Sequence, residues 1–231
     1  HPAYEALFLS EYYLATGDKG TLPALQRYHD FLLLYGPGHR GVWSHGPNQG
    51  KDRGDYGALN GLGSVIMTSL VLMGEGGIKV DQPAFNKARA YFDKYTQCGR
   101  IIYGTGLPQS LKEMGFKPAD LRKGIQPTGN GSSASSAVLW KLMEPKGTKW
   151  RECAEAVADS YQSREYGHGG HFYSFVWGPV GASLAGKQKL AKFMREQRWY
   201  YALLRRFDHG LHDQSKDSSG SYTKYGTEYP T

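Results

Sequence analysis

Residues 57–73 read GALNGLGSVIMTSLVLM, without one charged side chain. Wound as a helix, this stretch shows apolar or small groups in every direction, so it needs neighbours on all sides and not on one face only. Ala3–Ala15, Ser132–Met143 and His171–Ala185 have nearly the same character. Each is followed by a stretch that is apolar at helical spacing on a single face. Leu22, Leu25, Tyr28, Phe31, Leu32 and Tyr35 follow the first, and Phe85, Ala88, Tyr91, Phe92 and Tyr95 the second. Trp150, Cys153, Ala154, Val157, Ala158 and Tyr161 follow the third. Leu190, Phe193, Met194, Gln197, Tyr201, Leu204 and Phe207 follow the fourth, with Gln197 as a polar slip. The alternation predicts an all-α fold, an arc or incomplete (α/α) toroid of about four helical hairpins. Apolar helices lie inside and amphipathic helices outside.

The inner stretches begin near residues 1, 57, 132 and 171, an irregular spacing that implies a degenerate structural repeat. Asp81-Gln82-Pro83 reads as an N-cap, and Gly74, Gly76 and Gly77 stop the helix before it. Pro179 falls inside the last inner stretch and should kink it. Gly99–Gly131 is a long Gly/Pro-rich connection, either a functional loop or a covering flap. Asp208–Thr231 is polar and reads as loop with a short hairpin. The toroid domain is expected over residues 1–214 and a polar tail over 215–231. His1 opens directly into a helical pattern and reads as a cut end, so the ring is expected to be completed by upstream chain or by self-association.

Hydrophobic residues make up 39% of the 231, and no run approaches the length of a membrane span. The net charge is +7, and residues 187–206 hold seven basic residues against one Glu. Such a stretch meets an anionic partner or is simply a solvated outer face. No nucleic-acid-binding motif accompanies it, which argues against nucleic acid. Cys98 and Cys153 are too few for a disulfide framework and read as core thiols.

Every polar cluster lies just before an inner helix, where unpaired N–H groups and the helix dipole favour polar or anionic ligands. The first runs from Trp43 through His45, Asp52, Arg53, Asp55 and Tyr56 to Asn60. Asp52 and Asp55 suit a general acid and base, while His45 or Tyr56 suits proton abstraction with Arg53 on a substrate carboxylate. The competing reading is an Asp N-cap with loop salt bridges. The second cluster surrounds Asn130, a hydrogen-bond donor to a ligand or a turn and cap device. The third holds His168, His171 and Tyr173, followed by Trp177. Two His three apart suggest metal, but no HExxH or Cys-rich companion exists, so no metal and no cofactor is expected. His171 and Tyr173 then read as cavity-lining groups.

The segments HPAYEALFLSEYYLATGDKGTLP (1–23), RGDYGALNGLGSVIMTSLVLMGEGG (53–77), GNGSSASSAVLW (129–140) and GHGGHFYSFVWGPVGASLAGKQKLAKFMREQRWYYALLRRFD (167–208) resemble an uncharacterised bacterial family. That family is similar to the α/α toroid of terpenoid cyclases and protein prenyltransferases, and its longer members carry a PDZ-like module. The resemblance implies a toroid and an extracytoplasmic setting, and it implies no established activity. DRGD at Asp52–Asp55 lacks the contiguous acids of terpene cyclases, and the prenyltransferase zinc set is absent.

Three functions are therefore expected in competition. One is a carbohydrate-active hydrolase or lyase, with His45, Asp52, Asp55 and Tyr56 catalytic and with Trp43, Arg53, Asn60, Asn130, His171, Tyr173 and Trp177 binding a polysaccharide or another polar ligand. The second is a non-catalytic glycan- or peptide-binding scaffold. The third is an isoprenoid-processing enzyme.

Overall fold

The computed structural model describes residues 2–35, 42–43, 59–97, 99–101, 130–161, 164, 170–205, 207, 211–212 and 228–229. Among them are eight α-helices: α1 (Pro2–Thr16), α2 (Leu22–Tyr35), α3 (Asn60–Glu75), α4 (Gln82–Tyr95), α5 (Asn130–Met143), α6 (Lys149–Asp159), α7 (Gly170–Leu184) and α8 (Lys187–Leu204). They pair as four inner–outer hairpins, so the chain is all-α in the order the alternation predicts. Two short antiparallel pairs accompany them, β1 (Thr96–Gln97) with β2 (Arg100–Ile101) and β3 (Leu211–His212) with β4 (Glu228–Tyr229). No described helix is long and apolar enough to cross a membrane.

Local chemistry sets the boundaries. Asp81 caps α4 by accepting from the Ala84 N–H at 2.9 Å, as its place before Pro83 predicts. Gly77, at φ +90°, lets the chain leave α3. The N-terminal start of α3 differs from the expected Gly57. Leu59 is extended and gives its N–H to the Trp43 carbonyl (2.8 Å), so helix begins only at Asn60. Pro179 lies within α7 and removes the N–H that would serve the Phe175 carbonyl. The Tyr201 hydroxyl of α8 donates to that carbonyl instead, at 3.3 Å.

Small residues bring the inner helices together. Ser69 of α3 donates to the Ala3 carbonyl of α1 at 3.2 Å, and Gly76 sits against the Tyr13 ring. Both pairs advance in the same sense, so α1 and α3 run parallel. Ser64 of α3 meets Ser135 of α5 at 2.7 Å. A Cβ on Gly181 of α7 would come within 2.7 Å of the Ala134 backbone of α5, so only glycine permits that crossing. The inner row is thus α1–α3–α5–α7. Its ends are bridged in turn, because the Trp177 indole N–H of α7 donates to the Tyr4 hydroxyl of α1 at 3.1 Å.

Outer helices seat on inner ones through a repeated device. Phe92 of α4 lies over Gly63 of α3, and Phe193 of α8 lies over Gly178 of α7, each ring 2.6 Å from where a Cβ would stand. The repeat that spacing hides is therefore an aromatic-on-glycine contact within the hairpin. In the third hairpin Ala137 meets Cys153 and Ala154 instead.

Candidate functional site

The heads of α3 and α5 come together at Ser64 and Ser135. Ser64 also lies 2.8 Å from the Gly61 carbonyl and Ser135 lies 3.1 Å from the Ser132 carbonyl. Two hydroxyl protons are thus shared among three acceptors, and the serine that donates to its neighbour leaves the carbonyl of its own helix. Asn60, the first residue of α3, is fully buried beside them in sequence, as are Ser133 and Ser136 on α5. Among the described residues the Ser136 hydroxyl of α5 and the Ser174 hydroxyl of α7 are buried with no hydrogen-bond partner. Buried hydroxyls left in that state are costly and are usually satisfied by water or a bound polar group. The inner wall near these heads therefore carries amide and hydroxyl capacity rather than a purely apolar lining.

Trp43 and Leu59 form the neck of the first polar cluster. Their backbone hydrogen bond joins the chain just before residue 44 to the chain just after residue 58. Everything between them enters and leaves at one point, next to the head of α3. His45, Asp52, Arg53, Asp55 and Tyr56 fall in that interval and lie outside the described residues. The Trp43 ring itself is 3% exposed, and its indole N–H donates to the Leu32 carbonyl at 2.9 Å. It ties the end of α2 to the head of α3.

Asn130 opens α5, and His171 and Tyr173 lie in the first turn of α7; the side chains of these three lie outside the described residues, as does His168. Trp177 is buried against Tyr4, ring centroids 6.5 Å apart. The backbone places Asn60, Asn130, and His171 with Tyr173, near the heads of α3, α5 and α7; Ser64–Ser135 brings the first two heads together, whereas Gly181, near the far end of α7, is what meets Ala134 near the head of α5.

Two groups that sequence reasoning missed organise the surroundings. Arg164 is buried between α6 and α8. Its guanidinium reaches Glu196 at 3.0 Å and the Ala158 carbonyl at 3.2 Å, and it stacks over the Phe193 ring at 3.8 Å. Burial pulls its pKa down, and Glu196 opposes that pull. A cation at the last carbonyls of α6 also complements the helix dipole. Nothing in its spacing marks it, since it follows the end of a helix in a polar run. His29 of α2 is the other: its Nε2 accepts from the Asp81 N–H at 3.4 Å while Nδ1 lies 2.9 Å from Asp30. It appears in no motif, only as a polar position on an amphipathic helix.

Among the described residues no group of three His, Cys, Asp or Glu side chains could hold a metal ion. Cys153 is no nucleophile: burial pushes its pKa up to about 12, and Glu152 adds to the shift. Cys98 lies outside the described residues.

No curated protein and no solved structure matches the chain. One family does, over residues 1–229, and the chain belongs to it: it is described as a domain of unknown function (DUF6288).

Proposed function

We propose that this domain acts on a polysaccharide as a hydrolase or lyase, at the rim where the inner helices begin. The observation that carries the reading is the neck between Trp43 and Leu59, which makes the segment bearing His45, Asp52, Arg53, Asp55 and Tyr56 depart from and return to the buried polar head of α3. Asp52 and Asp55 supply the acid and base of a hydrolase, or His45 or Tyr56 the base of a lyase with Arg53 on a uronate. Asn130, His171 and Tyr173 hydrogen-bond the sugar hydroxyls, with Asn60 buried behind them. Trp43 and Trp177, assigned to the same site, support it from beneath the rim. The hydroxyl-rich contact between α3 and α5 suits a polar substrate better than an isoprenoid chain, which asks for a deep apolar cavity.

A second reading has its own support. The heads of α3 and α5 offer an amide and hydroxyls and no acidic residue in their first turns, the chemistry of capture without turnover. The test is a polysaccharide panel assayed for new reducing ends and for unsaturated uronates, with Asp52→Ala and His45→Ala beside the parent chain. Hydrolysis lost in Asp52→Ala with helicity unchanged supports the hydrolase, and elimination lost in His45→Ala supports the lyase. Binding without product in the parent chain assigns the domain to the scaffold reading, and full activity in both variants ends the assignment of these residues.

A further inference from the structure

Helix α8 turns an unusual face to solvent. Arg195 and Arg198 are exposed one turn apart, exposed Ala191 precedes them and exposed Ala202 follows them on the same side, and exposed Arg205 caps the helix end. Trp199, Leu203 and Met194 flank that ridge, and Phe207 follows the helix; Leu203 is 62% and Phe207 94% exposed. The helix contains one acidic residue, Glu196, which points away and pairs with Arg164 and Lys192. The ridge is therefore cationic without internal compensation. Beside it the Trp199 indole N–H donates to the Tyr161 hydroxyl at 3.0 Å, and both rings stay about two-fifths exposed.

We propose that this face of α8 docks on an anionic lipid surface. Arginines along the ridge pair with headgroup phosphates, while Trp199, Leu203 and Phe207 enter the boundary between headgroups and acyl chains. The combination of a basic face with exposed large apolar side chains is what an in-plane interfacial helix requires. Trp and Tyr with their polar ends joined match the wet, half-apolar headgroup layer. A nucleic-acid face would gain from the arginines and leave Leu203 and Phe207 without a role. Docking through α8 occupies the outside of the hairpin row and leaves the heads of α3 and α5 open, so the inference stands apart from the proposed enzymatic reading.

The experiment is co-flotation of the whole chain with vesicles of phosphatidylcholine alone or with about one-third phosphatidylglycerol. The chain should float with the anionic vesicles only, and less so as salt rises to about 0.5 M. Arg195→Glu/Arg198→Glu should weaken binding by about thirtyfold or more. Lys79→Glu/Lys87→Glu on the second hairpin makes the same change in net charge and should lose far less. Leu203→Ser/Phe207→Ser should weaken binding while keeping every arginine. No flotation, equal loss in the two charge-reversed chains, or binding to a duplex oligonucleotide in place of vesicles would overturn the proposal.

Discussion

Helices α1 and α3 are alike in sequence and unlike in surroundings. Both are apolar nearly all round, yet twelve residues of α3 are buried and only Ala3, Ala6 and Ser10 of α1. Phe8 and Tyr12 of α1 are 66% and 41% exposed, and they stack on one another at the surface. The difference is position. Helix α3 has α1 and α5 as flanking inner helices and α4 behind it, whereas α1 stands at the end of the row. Helix α7, at the other end, likewise leaves Val176 and Val180 exposed. Composition therefore selects a helix for the inner row, and the number of neighbours decides how much of it leaves water.

The sharpest way to break this comparison is to truncate one side chain at each place. Leu70, fully buried in α3, loses both transfer energy and packing in Leu70→Ala, which should cost about 2–5 kcal/mol. Phe8→Ala in α1 removes a larger side chain and should cost within about 0.5 kcal/mol. Urea denaturation of both variants makes the measurement. A Phe8→Ala cost equal to that of Leu70→Ala would mean that something covers α1 in solution, and a concentration-dependent midpoint would identify it as a second copy.

The inner and outer layers are also held differently. Ser64–Ser135 and Gly181–Ala134 join inner helices through small groups in close approach, while the outer helices of the last two hairpins are joined by charge. Arg164→Ala leaves Glu196 without its buried partner and the Ala158 carbonyl without the guanidinium donor, and should cost about 3 kcal/mol. Arg164→Met fills the volume and should recover part of that loss. If both variants are as stable as the parent, these outer helices are held by packing alone, like the inner ones. A smaller effect is expected at the Pro179 break. Tyr201→Phe removes the hydroxyl that serves the Phe175 carbonyl and should cost about 1 kcal/mol. The same substitution at exposed Tyr12 should be neutral by thermal unfolding.

Periodicity made the four hairpins legible because solvent imposes it locally. An outer helix must be apolar on one side, and Asp81 or Gly77 act on the backbone within a few residues of themselves. Contacts between distant residues leave no such trace. The Tyr4–Trp177 bridge, the seating of Phe92 on Gly63 and the pairing of Arg164 with Glu196 depend on chain segments far apart. Leu59 shows the same limit at a boundary: its propensity allows helix, and the Trp43 carbonyl decides otherwise. In the site, Asn60 could be placed at a helix head from pattern alone. Trp43 and Trp177 read as rings available for stacking, since an aromatic beside a polar run looks the same whether it faces a groove or the core. Only the Leu32 carbonyl and the Tyr4 hydroxyl reveal where those rings point.

The mildest test concerns Asp159, the last residue of α6. A carboxylate at a helix C-terminus faces the negative end of the dipole, so it needs cations nearby. Lys189 at 2.5 Å and Lys192 at 2.9 Å, both from α8, provide them. Burial alone would raise this carboxyl's pKa, but the hydrogen bonds from the two lysines outweigh it and hold the group below its ordinary 3.8. A depressed native pKa means that the stabilisation is present above the unfolded value and disappears as pH falls through the folded one. The pair is well exposed, so Asp159→Asn should cost under about 1 kcal/mol at neutral pH. In thermal unfolding the parent should exceed the variant by about 1–3 °C at pH 7, and the two should converge as acid protonates the carboxylate or in strong salt. A gap that survives acid would show that Asp159 acts through its shape and hydrogen bonding rather than its charge. The outer helices α6 and α8 would then be held in the same way as the inner ones.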